Sequence, residues 1–137
     1  MLDPMSIEVK KSELAQAIAD RPYAYLLSPG RDRPHVVQVV PALVDGVMHI
    51  DGPGRSALSL AQDSPAVTVL YPPPAADGYS LIVDGTAHVS GDILHISVDH
   101  AVLHRRATET SQPSATGCGA DCHRIEIGAS ADSDSRL

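Results

Sequence analysis

From residue 23 to residue 89 short apolar runs alternate with turn residues, and one short helical stretch interrupts them. That order restricts the chain to antiparallel strands joined by tight connections. Residues 23–28 read as a strand, and Pro29, Gly30, Arg31, Asp32 and Arg33 as the turn after it. Residues 35–40 are almost all β-branched, interrupted by Gln38, which predicts a strand covered on both faces. Pro41 marks a bulge or an edge just beyond. Asp45-Gly46 between apolar runs predicts a hairpin that returns through residues 47–51. Gly52, Pro53 and Gly54 then turn the chain sharply. Residues 56–62 suit one or two helical turns, with Leu58 and Leu60 available for burial, and Asp63, Ser64 and Pro65 end them. Strands over 66–71 and 79–89 flank the stiff triplet Pro72, Pro73, Pro74, which cannot join a sheet ladder. The second of these strands should bend near Asp84-Gly85. Ser90, Gly91 and Asp92 turn it into a strand over 93–98, and residues 101–106 read as one strand more.

The two ends are less patterned. Residues 1–10 read as a loose lead-in. Ser12 is a candidate N-cap, Glu13 suits the positive end of a helix dipole, and Leu14 and Ile18 share a helical face before Pro22 stops it. Residues 107–121 have the Ser, Thr, Pro and Gly content of a linker, residues 122–127 alternate enough for a short last strand, and residues 129–137 read as a disordered tail. The expectation is one domain over residues 1–128, mainly β with short helices, built as an antiparallel barrel or sandwich.

Composition narrows the chemistry. The chain has no Phe and no Trp, so Val, Ile, Leu and Ala must fill the core, and the four tyrosines serve as core or interface anchors. A formal net charge of −7 argues against nucleic-acid or anionic-membrane partners but leaves room for a local basic pocket. No apolar run nears the roughly 20 residues of a membrane helix. The first residues carry Asp3 and Glu8 and lack a secretory apolar segment, and two cysteines make no disulfide framework, so a cytoplasmic protein is expected.

The candidate binding residues are Arg55 and Ser56, at the point where the strand over 47–51 has ended and the helix begins. A cation beside free backbone N–H groups at a helix N-terminus suits a phosphate. The plainer alternatives are a solvated loop arginine and a capping serine. In the tail, Cys118 and Cys122 are spaced as half of a zinc site, with Asp121 between them and His123 adjacent. No second pair is visible, so free thiols come first, a redox disulfide second and zinc last. The remaining histidines, His49, His88, His95, His100 and His104, scatter over strand positions and read as surface or interface residues.

Taken in order, Tyr23-Ala-Tyr-Leu-Leu-Ser28, Arg33-Pro-His-Val-Val37, Val44-Asp-Gly-Val47, Gly54-Arg-Ser-Ala-Leu58, Asp63-Ser-Pro-Ala-Val-Thr-Val69 and Leu81-Ile-Val-Asp-Gly-Thr-Ala-His-Val89 resemble the pyridoxamine 5'-phosphate oxidase-like flavin-binding proteins. The resemblance covers about half of the chain. It implies a split β-barrel, a homodimer with the cofactor in a cleft between subunits, and a flavin- or deazaflavin-dependent oxidoreductase acting on a small molecule. The cofactor it implies is FMN first, F420 second and haem third; the alternative is a non-catalytic cofactor- or haem-binding barrel. By the same resemblance Arg55 and Ser56 hold the phosphate, and His35, Val36, Val37 and Gln38 border the flavin ring. Family members place a lysine in or beside the phosphate segment, whereas no lysine follows Lys11 in this chain.

Overall fold

The computed structural model describes residues 6–106. It contains eight strands: β1 (Ser6–Glu8), β2 (Ala24–Ser28), β3 (His35–Val39), β4 (Ala42–Val44), β5 (Val47–Asp51), β6 (Ala66–Tyr71), β7 (Ser80–Ser90) and β8 (Ile93–His104). Two helices accompany them, α1 (Leu14–Ile18), entered through a 3-10 turn over Lys11–Glu13, and α2 (Arg55–Asp63). All strand pairs are antiparallel, in the order β3-β2-β6-β7-β8-β5-β4, with β1 added on β8.

The strands at the two ends of that order, β3 and β4, are consecutive in the chain and joined by Val40 and Pro41 alone. Three residue steps span no more than about 10 Å, so the two edges are drawn toward each other. The sheet must curl into a barrel that is not hydrogen-bonded shut along this seam. Proline belongs there, because it has no N–H to offer a ladder.

Alternation fills the barrel. In β7, Leu81, Val83 and Ala87 point inward while Asp84, Thr86 and His88 are exposed. Leu26, Met48, Ile50, Val69, Leu94 and Ile96 complete the core with no ring larger than Tyr71. Asp45 and Gly46 take left-handed conformations, φ 52° and 82°, and close the β4–β5 hairpin as a two-residue turn. Where a bend was expected near Asp84-Gly85, the ladder has a bulge whose extra residue is on the facing strand: Asp84 pairs with His100 and Gly85 with Val98, so Asp99 of β8 is extra.

Several expectations need correction. Residues 6–8 belong to β1, which pairs with Val102–His104; three residues are too few to show a period. Ser12 is not the cap. Glu13 accepts a hydrogen bond from the Lys10 backbone N–H, 3.3 Å away, and the cap position is Lys10, two residues earlier. The strand over residues 35–40 is not covered on both faces: β3 is an edge strand whose Val36 and Gln38 are exposed. Residues 93–98 and 101–104 are one strand: the bulge takes up Asp99, and His100 keeps its place opposite Asp84. In α2 the fully buried residues are Ala57 and Ala61, with Leu58 and Leu60 half-buried beside them, since the helix packs closely on the sheet. The linker, the strand over 122–127 and the tail over 129–137 lie outside the described residues, as do Cys118, Cys122 and His123.

Candidate cofactor site

One cavity of about 660 Å³ opens where the β2–β3 loop faces the start of α2. Its walls include Arg31, Arg33 and His35 from the hairpin and Arg55, Ser56 and Ser59 from the helix.

The hairpin brings its arginines there through a tight loop. A Cβ on Gly30 would collide with the carbonyl oxygen of Arg33, so only glycine permits the loop to fold back on itself. The helix contributes through its N-terminus. Gly54 precedes it with φ 109°, a conformation unfavourable to residues with a side chain. No side chain caps this end and no acidic residue lies in the first turn. The first bond of the helix runs from the Leu58 N–H to the Gly54 carbonyl, 3.1 Å, which leaves the preceding N–H groups without an intrahelical partner.

The electrostatics are local. Three arginines stand against Asp32 alone among the lining residues, in a chain whose formal net charge is −7. Among the described residues the ion pair is His100 with Asp84, 3.9 Å apart, so Arg31, Arg33 and Arg55 have no carboxylate partner. Arg21 offers a contrast. Its guanidinium donates to the carbonyls of Ala17, Pro72 and Tyr79 at 3.0, 3.2 and 2.7 Å and fastens the proline loop. Burial lowers the pKa of that side chain, a mark of a structural arginine rather than a free one. His35 brings a further signal: its Nδ1 is buried and has no hydrogen-bond partner among the described residues. Buried polar atoms are almost always bonded, and His35 is one of the residues that line the cavity.

The structure therefore brings together Arg55, Ser56, His35 and Val36. Val37 and Gln38 are not among the cavity's lining. Alternation along β3 turns the side chains of His35 and Val37 inward and those of Val36 and Gln38 outward, so four consecutive side chains cannot share one ligand face. Arg31, Arg33 and Ser59 were not anticipated. The first two were read as turn residues; two arginines in one hairpin loop, in a chain with no lysine after Lys11, were the available signal.

No family model matches the chain. The uncharacterized protein Mb0449c of Mycobacterium bovis is 38% identical over 133 residues, covering 84% of this chain and 93% of that protein. The uncharacterized protein MT0457 of Mycobacterium tuberculosis matches to the same extent. Among solved structures, a FAD-binding protein from Mesorhizobium loti superposes with TM-score 0.57 at 14% identity, covering 71% of this chain and 93% of that one. The FAD-binding protein of Mycobacterium smegmatis gives TM-score 0.56 at 12% identity, with 72% and 97% covered. A candidate pyridoxamine 5'-phosphate oxidase from Listeria innocua gives 0.52 at 13%, with 66% and 92% covered. The fold is the split barrel of the pyridoxamine 5'-phosphate oxidase-like and flavin-binding proteins. Within it, the chain belongs to the same family as Mb0449c and MT0457.

Proposed function

We propose that the cavity binds the phosphate end of a flavin, FMN in the first instance, and that the protein is a flavin-dependent oxidoreductase acting on a small molecule. The observation that carries this reading is the convergence on one cavity of three arginines unpaired among the described residues, an uncapped helix N-terminus and His35, whose Nδ1 has no partner among those residues. A phosphate monoester carries about −1.5 to −2 charge at neutral pH, and three arginines less Asp32 supply a formal +2. Guanidinium groups grip phosphate through paired hydrogen bonds, so Arg31, Arg33 and Arg55 take the place of the lysine usual in such proteins. Ser56 and Ser59 add hydroxyls one helical turn apart, on the side of α2 that lines the cavity. His35 Nδ1 would hydrogen-bond the ligand from the sheet side, its tautomer set by whether the ligand atom donates or accepts.

The flavin supplies hydride chemistry when bound; the chain's own groups bind, orient and exclude water. Val36 and Leu60 provide apolar wall beside the polar end. Uptake of FMN measured by quenching of its fluorescence, with FAD, F420 and haem as parallel arms, tests the reading. Tight FMN binding supports it. A Soret band with haem and no flavin uptake would select the haem-binding alternative, and refusal of all four would remove the cofactor reading.

The same reading makes the protein a homodimer. Val36 on β3, Val40 in the link and Val44 on β4 are 54%, 71% and 50% exposed along the open seam. Aliphatic side chains that large, gathered at one margin of the barrel, suit burial against a second copy. Among the described residues no helix is long and apolar enough to cross a membrane.

A further inference from the structure

Three histidines that are scattered in the sequence form a straight row across the sheet. His49 on β5 stands directly opposite His95 on β8, and His95 stands directly opposite His88 on β7. The flanking residues Met48, Ile50, Leu94, Ile96 and Ala87 are buried, so all three imidazoles lie on the outer face. The His49 and His95 rings meet edge to face with centroids 4.6 Å apart, and His88 lies 6.5 Å from His95. None of the three lines the arginine cavity.

We propose that His49, His95 and His88 form a binding site for a divalent late-transition metal, zinc foremost. Imidazole is the ligand such ions share, and a tetrahedral zinc commonly takes three protein ligands and leaves a fourth position open. Neighbouring antiparallel strands are about 4.8 Å apart, so the whole row is about 10 Å wide at the backbone. Imidazole arms from the two outer strands lean over the central one to meet an ion about 2.0–2.1 Å from each nitrogen. As the rings stand they are not a closed ligand set. Closing them needs rotation of side chains only, chiefly of the exposed His88, while the sheet holds the backbone spacing.

Two further observations favour a ligand over plain packing. None of the three side chains makes a hydrogen bond or ion pair among the described residues, so no existing partner has to be given up. Edge-to-face packing accounts for His49 with His95, but not for a third imidazole in register on the next strand. Asp51, two residues along β5 from His49 and therefore on the same face, is exposed and available for the fourth position or for charge balance.

The test must silence the tail thiols, which could bind the same ions. Full-length Cys118→Ser, Cys122→Ser protein is titrated with zinc chloride near neutral pH, alone and with His95→Gln, His88→Gln or His104→Gln added. One zinc per chain is expected in the double variant and in the His104→Gln control. His95→Gln and His88→Gln should each weaken it at least about tenfold, the smallest loss usual even for outer partners of a metal site. Nickel supplies a readout that does not depend on variants: its paramagnetism should broaden the ring resonances of His49, His88 and His95 before those of His100 and His104. The proposal fails if the double variant takes up no zinc, if His88→Gln binds like its parent, or if nickel broadens all histidines alike.

Discussion

Ser28 and His35 stand directly opposite each other across β2 and β3, and each holds a buried polar atom with no partner, the Ser28 hydroxyl oxygen and His35 Nδ1. Opposed residues share a face of the sheet, so the two orphans sit side by side on the inner face next to the arginine cavity. A buried polar atom left unsatisfied costs roughly 1–3 kcal/mol. The hairpin that presents the arginines thus carries a destabilising pair at its base, of which His35 alone lines the cavity.

Arg55→Ala should weaken flavin binding without unfolding the protein. Loss of a charge-assisted hydrogen bond to phosphate costs about 1.5–3 kcal/mol, or roughly ten- to a hundredfold in affinity. Arg31→Ala and Arg33→Ala should act in the same direction. Titration of each variant with FMN checks this, with a melting curve as the control. Unchanged affinity in all three would place the phosphate elsewhere.

Gly30→Ala separates loop geometry from charge. It removes no binding group, yet its methyl collides with the Arg33 carbonyl and forces the loop to open. The expected result is weaker FMN binding together with a loss of stability of roughly 1–3 kcal/mol. Binding like the parent would mean that the loop need not hold this form.

Tyr71 gives a pH signature. Its hydroxyl is buried without a hydrogen-bond partner, and burial pushes its pKa up to about 12 from 10.0. The folded state therefore holds the proton more tightly than the unfolded state. The stability linked to it is fully present below pH 10 and is lost as the pH rises toward 12. Two pH units correspond to about 2.7 kcal/mol. Tyr71→Phe should flatten that alkaline decline in urea unfolding and be neutral or slightly stabilising at neutral pH; an equally steep decline in the variant would assign it to another group.

Light scattering at micromolar concentration should give a dimer. Val40→Asp with Val44→Asp should give a monomer that has also lost flavin affinity, because a subunit interface large enough to be obligate, above about 2,000 Å², tolerates no charged pair at its centre. A parent protein that runs as a monomer would refute the dimer directly.

The tail should be dispensable to this core. Cys118→Ser with Cys122→Ser is expected to melt and bind FMN like the parent, since a disulfide closing so short a loop constrains the unfolded chain little. A large drop in melting temperature would give the thiols a structural role.

Much of the barrel was legible because period and turn chemistry are local. The strand Ala66–Tyr71 and the Asp45-Gly46 hairpin emerge where the residues alone put them. What stayed hidden depends on who stands next to whom. Val36 looks like a core residue until the sheet order makes β3 an edge. Half of the candidate site was legible at Arg55 and Ser56, where a glycine and a helix start coincide. Arg31 and Arg33 looked like solvated turn residues, because nothing in a hairpin loop says which helix end the curl of the sheet will bring beside it. The histidine row was invisible for the same reason: His49, His88 and His95 follow no sequence period, and only strand register aligns them.

The link of Val40 and Pro41 also works as a mechanical strap. It ties the strand that walls the arginine cavity to the hairpin that carries His49, and proline stiffens half of its length. So short a strap leaves little slack, so a ligand that displaces β3 would tug β4 with it or be resisted by the histidine-bearing side of the sheet. Movements at the cavity and at the histidine row would then be felt by each other through the backbone, across a seam that the described residues leave without a ladder.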